Sequence, residues 1–138
     1  MDAAEKVGQE WLALQGQFER YEGGALTIKL TAVILFAAGM VLGAGAWLVC
    51  LVLLVLWLQE GIFKTFQSRL GERLLELERL LATGSDTGAG PFQLHTRWNA
   101  ARPGFWGRLV EYAASACRPT VAFPYLLLLL ASLLPLLQ

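Results

Sequence analysis

The side chains that could do chemistry are few in this sequence and do not cluster. His95 is its one histidine, so neither a multi-histidine metal site nor a relay through a second imidazole can be built. Cys50 and Cys117 have the spacing of neither a metal clip nor a redox pair and read as packed free thiols. The glycine-rich stretch from Gly84 to Gly90 is followed by no Lys-Ser/Thr and preceded by no strand, so it is not a phosphate loop. Acidic or basic groups inside apolar segments would mark a proton relay or an ion-coupled transporter. Residues 25–58 hold only Lys29, and residues 121–137 hold none. The expectation is a protein that is not an enzyme, with no catalytic residue, no metal ligand and no cofactor. His95 then reads as a solvated loop histidine.

What must be positioned is therefore hydrophobic surface. Mean hydropathy is +0.51 and the apolar fraction 56%, against roughly 45–50% for soluble domains. The excess sits in the two runs just named. The first is too long for one ordinary span of about 20 residues, and Gly39, Gly43 and Gly45 interrupt its middle. A tight turn at about Gly43 to Gly45 makes it a hairpin with spans at about 25–42 and 44–59; one long tilted helix is the alternative. Each span is about 25 Å long, short for a hydrocarbon core of about 30 Å. The acidic N-terminal stretch is not a signal peptide, so the first apolar run reads as a retained membrane helix. Residues 105–138 read as an interfacial helix followed by a C-terminal span at about 120–137. Pro124 is expected in its first turn, where proline is tolerated.

The helices continue beyond the apolar runs. Val7, Trp11, Leu14, Phe18 and Tyr21 step by four and three, as do Phe63, Phe66, Leu70, Leu74, Leu77 and Leu81, which is the spacing of a helix seam. Folding the chain at residue 43 sets Trp11 opposite Leu74 and Phe18 near Phe66. The fold class expected is thus an all-α integral membrane protein. A transmembrane hairpin (residues 1–83) extends into an antiparallel cytoplasmic stalk, residues 5–24 against 60–82, and a third transmembrane helix follows at the C-terminus. Residues 84–104 read as a flexible cytoplasmic connection. A two-helix stalk leaves large aromatic side chains half exposed, so Trp11, Leu14, Phe18, Phe66, Leu70, Leu74 and Leu77 are the expected assembly interface.

Charge gives the orientation. The turn carries no Lys or Arg while residues 60–118 carry many. The N-terminus and this connection are therefore expected in the cytoplasm and the C-terminus outside. Lys29 is placed to snorkel to the cytoplasmic surface, and Arg102, Trp106, Arg108 and Arg118 to meet the membrane interface. Trp47 and Trp57 are spaced like an aromatic belt. Net charge is zero, so no nucleic-acid partner is expected. The expected partners are the lipid bilayer and either copies of the chain or a larger membrane protein. Three lysines beside eight arginines suggest a GC-rich bacterial genome and hence a bacterial inner membrane.

In outline, residues 5–82 resemble small prokaryotic hairpin membrane proteins of the SLATT type, which carry a cytoplasmic helix after the second span. That resemblance implies a pore-forming effector and transfers no individual residue. Of three function classes, a membrane-anchored enzyme fragment is disfavoured by the absent site chemistry, which leaves two. One is a non-catalytic accessory or scaffolding subunit that assembles through its hairpin. The other is a homo-oligomeric pore or membrane-disrupting effector, with Thr27, Thr31 and Gln59 as candidate lumen residues. On either reading, Trp11→Asp is expected to disrupt the stalk or its assembly and to leave membrane insertion intact. Membrane fractionation beside native mass measurement checks this, and failure of the variant to insert would refute it.

Overall fold

The computed structural model describes residues 2–83, 99–100 and 103–137. Every regular element among them is helical: α1 (Ala3–Val41), α2 (Ala46–Thr83), α3 (Phe105–Ala116) and α4 (Pro119–Leu133), the last continued by a 3₁₀ turn, Leu134–Leu137. The connection expected at residues 84–104 lies largely outside the described residues, together with His95, Trp98 and Arg102.

Both long helices are uninterrupted. α1 runs through Gly23-Gly24 and α2 runs from the apolar segment through Gln59-Glu60 without a break. Each is long and apolar enough to cross a membrane; α3 and α4 qualify as a third span only as a pair bent by 73°. The exposed residues say the same. Leu30, Ile34, Val41, Leu51, Val55, Leu127 and Leu130 all face outward from the apolar segments. In water such a surface is untenable, whereas in hydrocarbon it is matched to its solvent. The chain is an all-helical, membrane-embedded protein.

The hairpin turn falls where glycine density placed it. Gly43 takes φ +66°, a left-handed conformation that glycine adopts without a Cβ clash. The Ala44 amide donates to the Gly39 carbonyl at 2.9 Å and closes the end of α1. Gly39 itself belongs to the packing: a Cβ there would lie 2.8 Å from Val49 Cγ2, so the two helices touch because this side chain is absent.

Two clusters hold the bundle. At the end far from the turn, Val7 and Leu14 of α1 bury against Leu70, Leu74 and Leu77 of α2, with Trp11, Phe18, Tyr21 and Leu80 packed around them. Each fully buried leucine contributes about 1.5–3 kcal/mol. Nearer the turn, Ala32, Val49, Leu53 and Tyr125 form the second cluster, joined by Phe36, Leu56, Trp57, Leu128 and Leu129. α4 therefore lies against both hairpin helices.

Two expectations are corrected. α4 begins at Pro119, which makes Pro124 an interior residue rather than a first-turn one. Trp57 is not a lipid-facing belt residue: its ring stacks on Tyr125 at 6.1 Å between centroids and its indole N–H donates to the Ala116 carbonyl at 2.8 Å. The reason is that α3 crosses α2 closely just beside it. A Cβ on Gly61 would fall 2.9 Å from Ala116 Cβ and 3.2 Å from the Tyr112 carbonyl oxygen.

That crossing yields a contrast. Gly61→Leu is expected to lower stability by about 1–3 kcal/mol through overpacking. Gly23→Leu, at a site where a Cβ meets nothing within 4 Å, is expected to be neutral or stabilising because leucine favours helix. Thermal unfolding in mild detergent followed by circular dichroism checks both; equal behaviour of the two variants would contradict the close crossing.

Candidate functional site: a polar clasp at the edge of the apolar segment

Glu60 stands where the apolar part of α2 ends, and its side chain is 0% exposed. A carboxylate so buried needs a counter-charge or hydrogen bonds, since desolvation otherwise costs several kcal/mol. Three helices supply them. Lys29 of α1 brings its ammonium to 3.0 Å from Oε1, as an ion pair rather than an aligned hydrogen bond. The Tyr125 hydroxyl of α4 donates to Oε2 at 2.9 Å. The carboxylate thus ties α1, α2 and α4 together at one height.

The same ammonium has a second task. Pro124 has no N–H, so the carbonyl four residues earlier, that of Thr120, loses its helical donor. Lys29 Nζ donates to this carbonyl oxygen at 3.0 Å. Trp57 does the corresponding service for Ala116, one of the last carbonyls of α3, which the bend before Pro119 leaves without a continuing helix. Lower on α4, Ser132 is buried. Its Oγ lies 3.1 Å from Cys50 Sγ and donates to the Leu129 carbonyl at 2.8 Å.

On the opposite side of Glu60 from the turn, polar groups hold α3 against α2. Thr65 Oγ1 bonds Ser115 Oγ at 2.8 Å, and Arg69 pairs with Glu111. This leaves the other face of α3 outward: Phe105, Trp106, Leu109 and Val110 are exposed, Trp106 to 78%. Farther out still, Arg73 is buried between the helices. It donates to Glu10 through Nε at 3.0 Å and to Glu76 through Nη1 at 2.9 Å. Burial works against its charge, but the hydrogen bonds and charges of Glu10 and Glu76 outweigh it, and the guanidinium is held above the ordinary arginine value. A raised basic group contributes stability that is fully present below its unfolded value and lost only above it. This contribution is therefore constant across the working pH range.

Of the residues expected at an assembly interface, Leu14, Leu70, Leu74 and Leu77 are buried within the chain's own helix contact, with Trp11 and Phe18 packed on it; Phe66 stacks on Tyr21. Of those expected at the membrane interface, Trp106 and Arg118 are exposed and Arg108 is half-buried. Lys29 does not extend freely to the surface, since it is the cation of the clasp. Sequence reading missed Glu60 and Tyr125. The available signal was the pairing of heights: with the chain folded at residue 43, Lys29 falls nearly opposite residues 57–60. Among the described residues no group of three or more His, Cys, Asp or Glu side chains converges as a metal site. Comparison with protein-family models, curated proteins and solved structures gives no match to this chain.

Breaking a buried pair by removing one partner typically costs about 3–5 kcal/mol, whereas removing both is far milder. Lys29→Met is therefore expected to destabilise the protein by about that amount and Lys29→Met/Glu60→Met by clearly less. Tyr125→Phe should cost about 1 kcal/mol. Unfolding in mild detergent measures the cycle; a double variant as damaged as the sum of the singles would refute the clasp.

Proposed function

We propose that this chain is a non-catalytic accessory or scaffolding subunit of a bacterial membrane protein complex, assembling through its helical hairpin. The observation that carries the reading is a pair of exposed leucines outside the apolar segment. Glu10 meets Arg73 and Trp11 meets Glu78, so Leu12 and Leu75 stand at one height on the hairpin. Yet they are 68% and 56% exposed. Large apolar side chains exposed at one level outside the apolar segment favour a protein contact. The seam residues are used inside the chain, so the contact surface is this outer one, rimmed by Trp11.

The polar groups support the same reading. Those of the clasp, of Arg73 and of the α3 contact are occupied with one another, which suits a rigid support better than a reactive centre. Thr27 and Thr31 donate their hydroxyl protons to the carbonyls of Gly23 and Thr27 in their own helix.

The placement that goes with this reading has the hairpin and α4 in the bacterial inner membrane. The arm formed by residues 5–24 and 60–82 projects into the cytoplasm as an antiparallel stalk, and the C-terminus reaches the outside. The positive residues on the stalk side support it. The outward apolar face of α3, set at 73° to α4, suits a helix lying in the membrane surface.

In mild detergent the native particle is expected to exceed the 15.1 kDa of one chain by the mass of a larger partner protein. Leu12→Lys/Leu75→Lys should release that partner and leave the chain inserted. A wild-type particle of one chain alone would overturn the reading, and a ring of identical chains would favour the pore instead.

A further inference from the structure

Above the clasp, on the stalk side, the cleft between α1 and α2 that α4 fills lower down is open. Its walls are Phe18 and Glu22 of α1, Lys64, Gln67 and Ser68 of α2, and Arg118 and Thr120 at the start of α4. Two cations face this groove. Lys64 Nζ donates only to the neutral Gln67 Oε1, at 2.8 Å, and Arg118 Nη2 to the neutral Ser68 Oγ, at 3.4 Å. Neither makes a salt bridge among the described residues, although Arg69, Arg73 and Lys29 nearby are all paired. Glu22 also lines the groove and is exposed, as Arg118 is, so with Lys64 and Arg118 the groove keeps an excess of one positive charge. The first turn of α4 opens onto it through Thr120, and a helix start adds a favourable field for an anion.

The height of the groove narrows the ligand. Lys64 is one helical turn beyond Glu60, about 6 Å farther from the apolar segment. That is the level of the phosphate groups of a bilayer whose hydrocarbon ends at the Lys29–Glu60 layer. From the groove and the unpaired cations we infer that Lys64, Arg118 and Ser68 bind a phosphate-bearing anion, the chemistry shared by an anionic phospholipid headgroup and free phosphate. The guanidinium of Arg118 offers a planar fork to two phosphate oxygens, and Lys64 supplies a point charge from α2, one turn from the Ser68 that Arg118 reaches. Thr120 also connects the site to the clasp, because its carbonyl holds Lys29. A bound headgroup would therefore rest against the junction that positions α4. The inference uses the membrane placement of the apolar helices and is independent of the protein partner proposed above.

The test uses the full chain in nanodiscs made from equal parts of phosphatidylglycerol and phosphatidylcholine, with co-released lipid read by native mass spectrometry. The wild type is expected to retain phosphatidylglycerol in preference to phosphatidylcholine. Lys64→Gln/Arg118→Gln should lower that preference on the order of tenfold. Lys64→Arg with Arg118 unchanged, which keeps both charges and the guanidinium fork, should retain most of it and so separates a binding defect from a folding one. Inorganic phosphate added to protein in phosphatidylcholine nanodiscs, followed by ³¹P line broadening, distinguishes the sources. Broadening that the glutamine variant abolishes assigns the site to free phosphate. Lipid preference without broadening assigns it to the headgroup. Equal lipid retention by wild type and glutamine variant, with no phosphate broadening, overturns the proposal.

Discussion

One buried carboxylate organises the inner half of this molecule. In hydrocarbon there is no hydrophobic drive to bring one apolar helix against another, because lipid tails are as apolar as leucine. Helices there need polar contacts or unusually close packing to choose a partner. Glu60 provides the polar contact, at the edge of the apolar segment, with Lys29 from one helix and the Tyr125 hydroxyl from another. Without it, the Tyr125 hydroxyl would lose its acceptor and Lys29 its counter-charge, and α4 would rest mainly on apolar contacts that lipid could replace. Gly39 provides the complementary device nearer the turn by letting α1 approach Val49 of α2.

The prolines of α4 belong to the same economy of polar groups. A proline in a soluble helix frees a carbonyl that water can satisfy. At the membrane edge the freed Thr120 carbonyl finds the ammonium that already neutralises Glu60. One cation thus satisfies two demands, the charge of a carboxylate and the orphaned acceptor of a broken helix. Trp57 does likewise with its indole N–H at the end of α3 while its ring stacks on Tyr125. Breaks in the helical backbone near lipid are tolerated where neighbouring side chains refill the hydrogen bonds, and here the refilling groups are also what dock α3 and α4.

The hairpin was legible in the sequence because its signals are local. An apolar run with a single charge near its start, too long for one span and with glycines at its middle, favours a turn, and Gly43 takes the left-handed conformation that such a turn uses. The two seams were legible for the same reason, since periods of three and four are written in neighbouring residues. The clasp was not, because it is assembled from positions far apart in the chain. Glu60 sits one residue past the apolar run and reads as the first charge of a solvated helix. Only a partner from α1 and another from α4 reveal it as buried. Tyr125 lies within a run of leucines and proline, where an aromatic residue suggests lipid contact. Pro124 falls just past the first turn because α4 starts slightly earlier than expected, at Pro119, and that start depends on the bend at Cys117-Arg118, which no periodicity announces.

Register is what the paired charges add beyond stability. A seam of Leu14, Leu70, Leu74 and Leu77 would pack almost as well after a slip of one helical turn, since leucine faces leucine again. Arg73 is buried to within 4% of its accessible surface and has Glu10 opposite it on α1. A slip of one turn would break the buried Arg73–Glu10 pair and leave the guanidinium with Glu76 of its own helix, at a cost that the leucine contacts would not offset. Lys29 and Glu60 impose the same condition at the membrane edge. Two such pairs, one in each half of the hairpin, fix the relative height of α1 and α2 along their whole length. That is why Leu12 and Leu75 come to one level, and why Lys64 and Arg118 face one groove. The outward surfaces proposed for a partner and for an anion are thus held in place by ion pairs buried elsewhere in the hairpin.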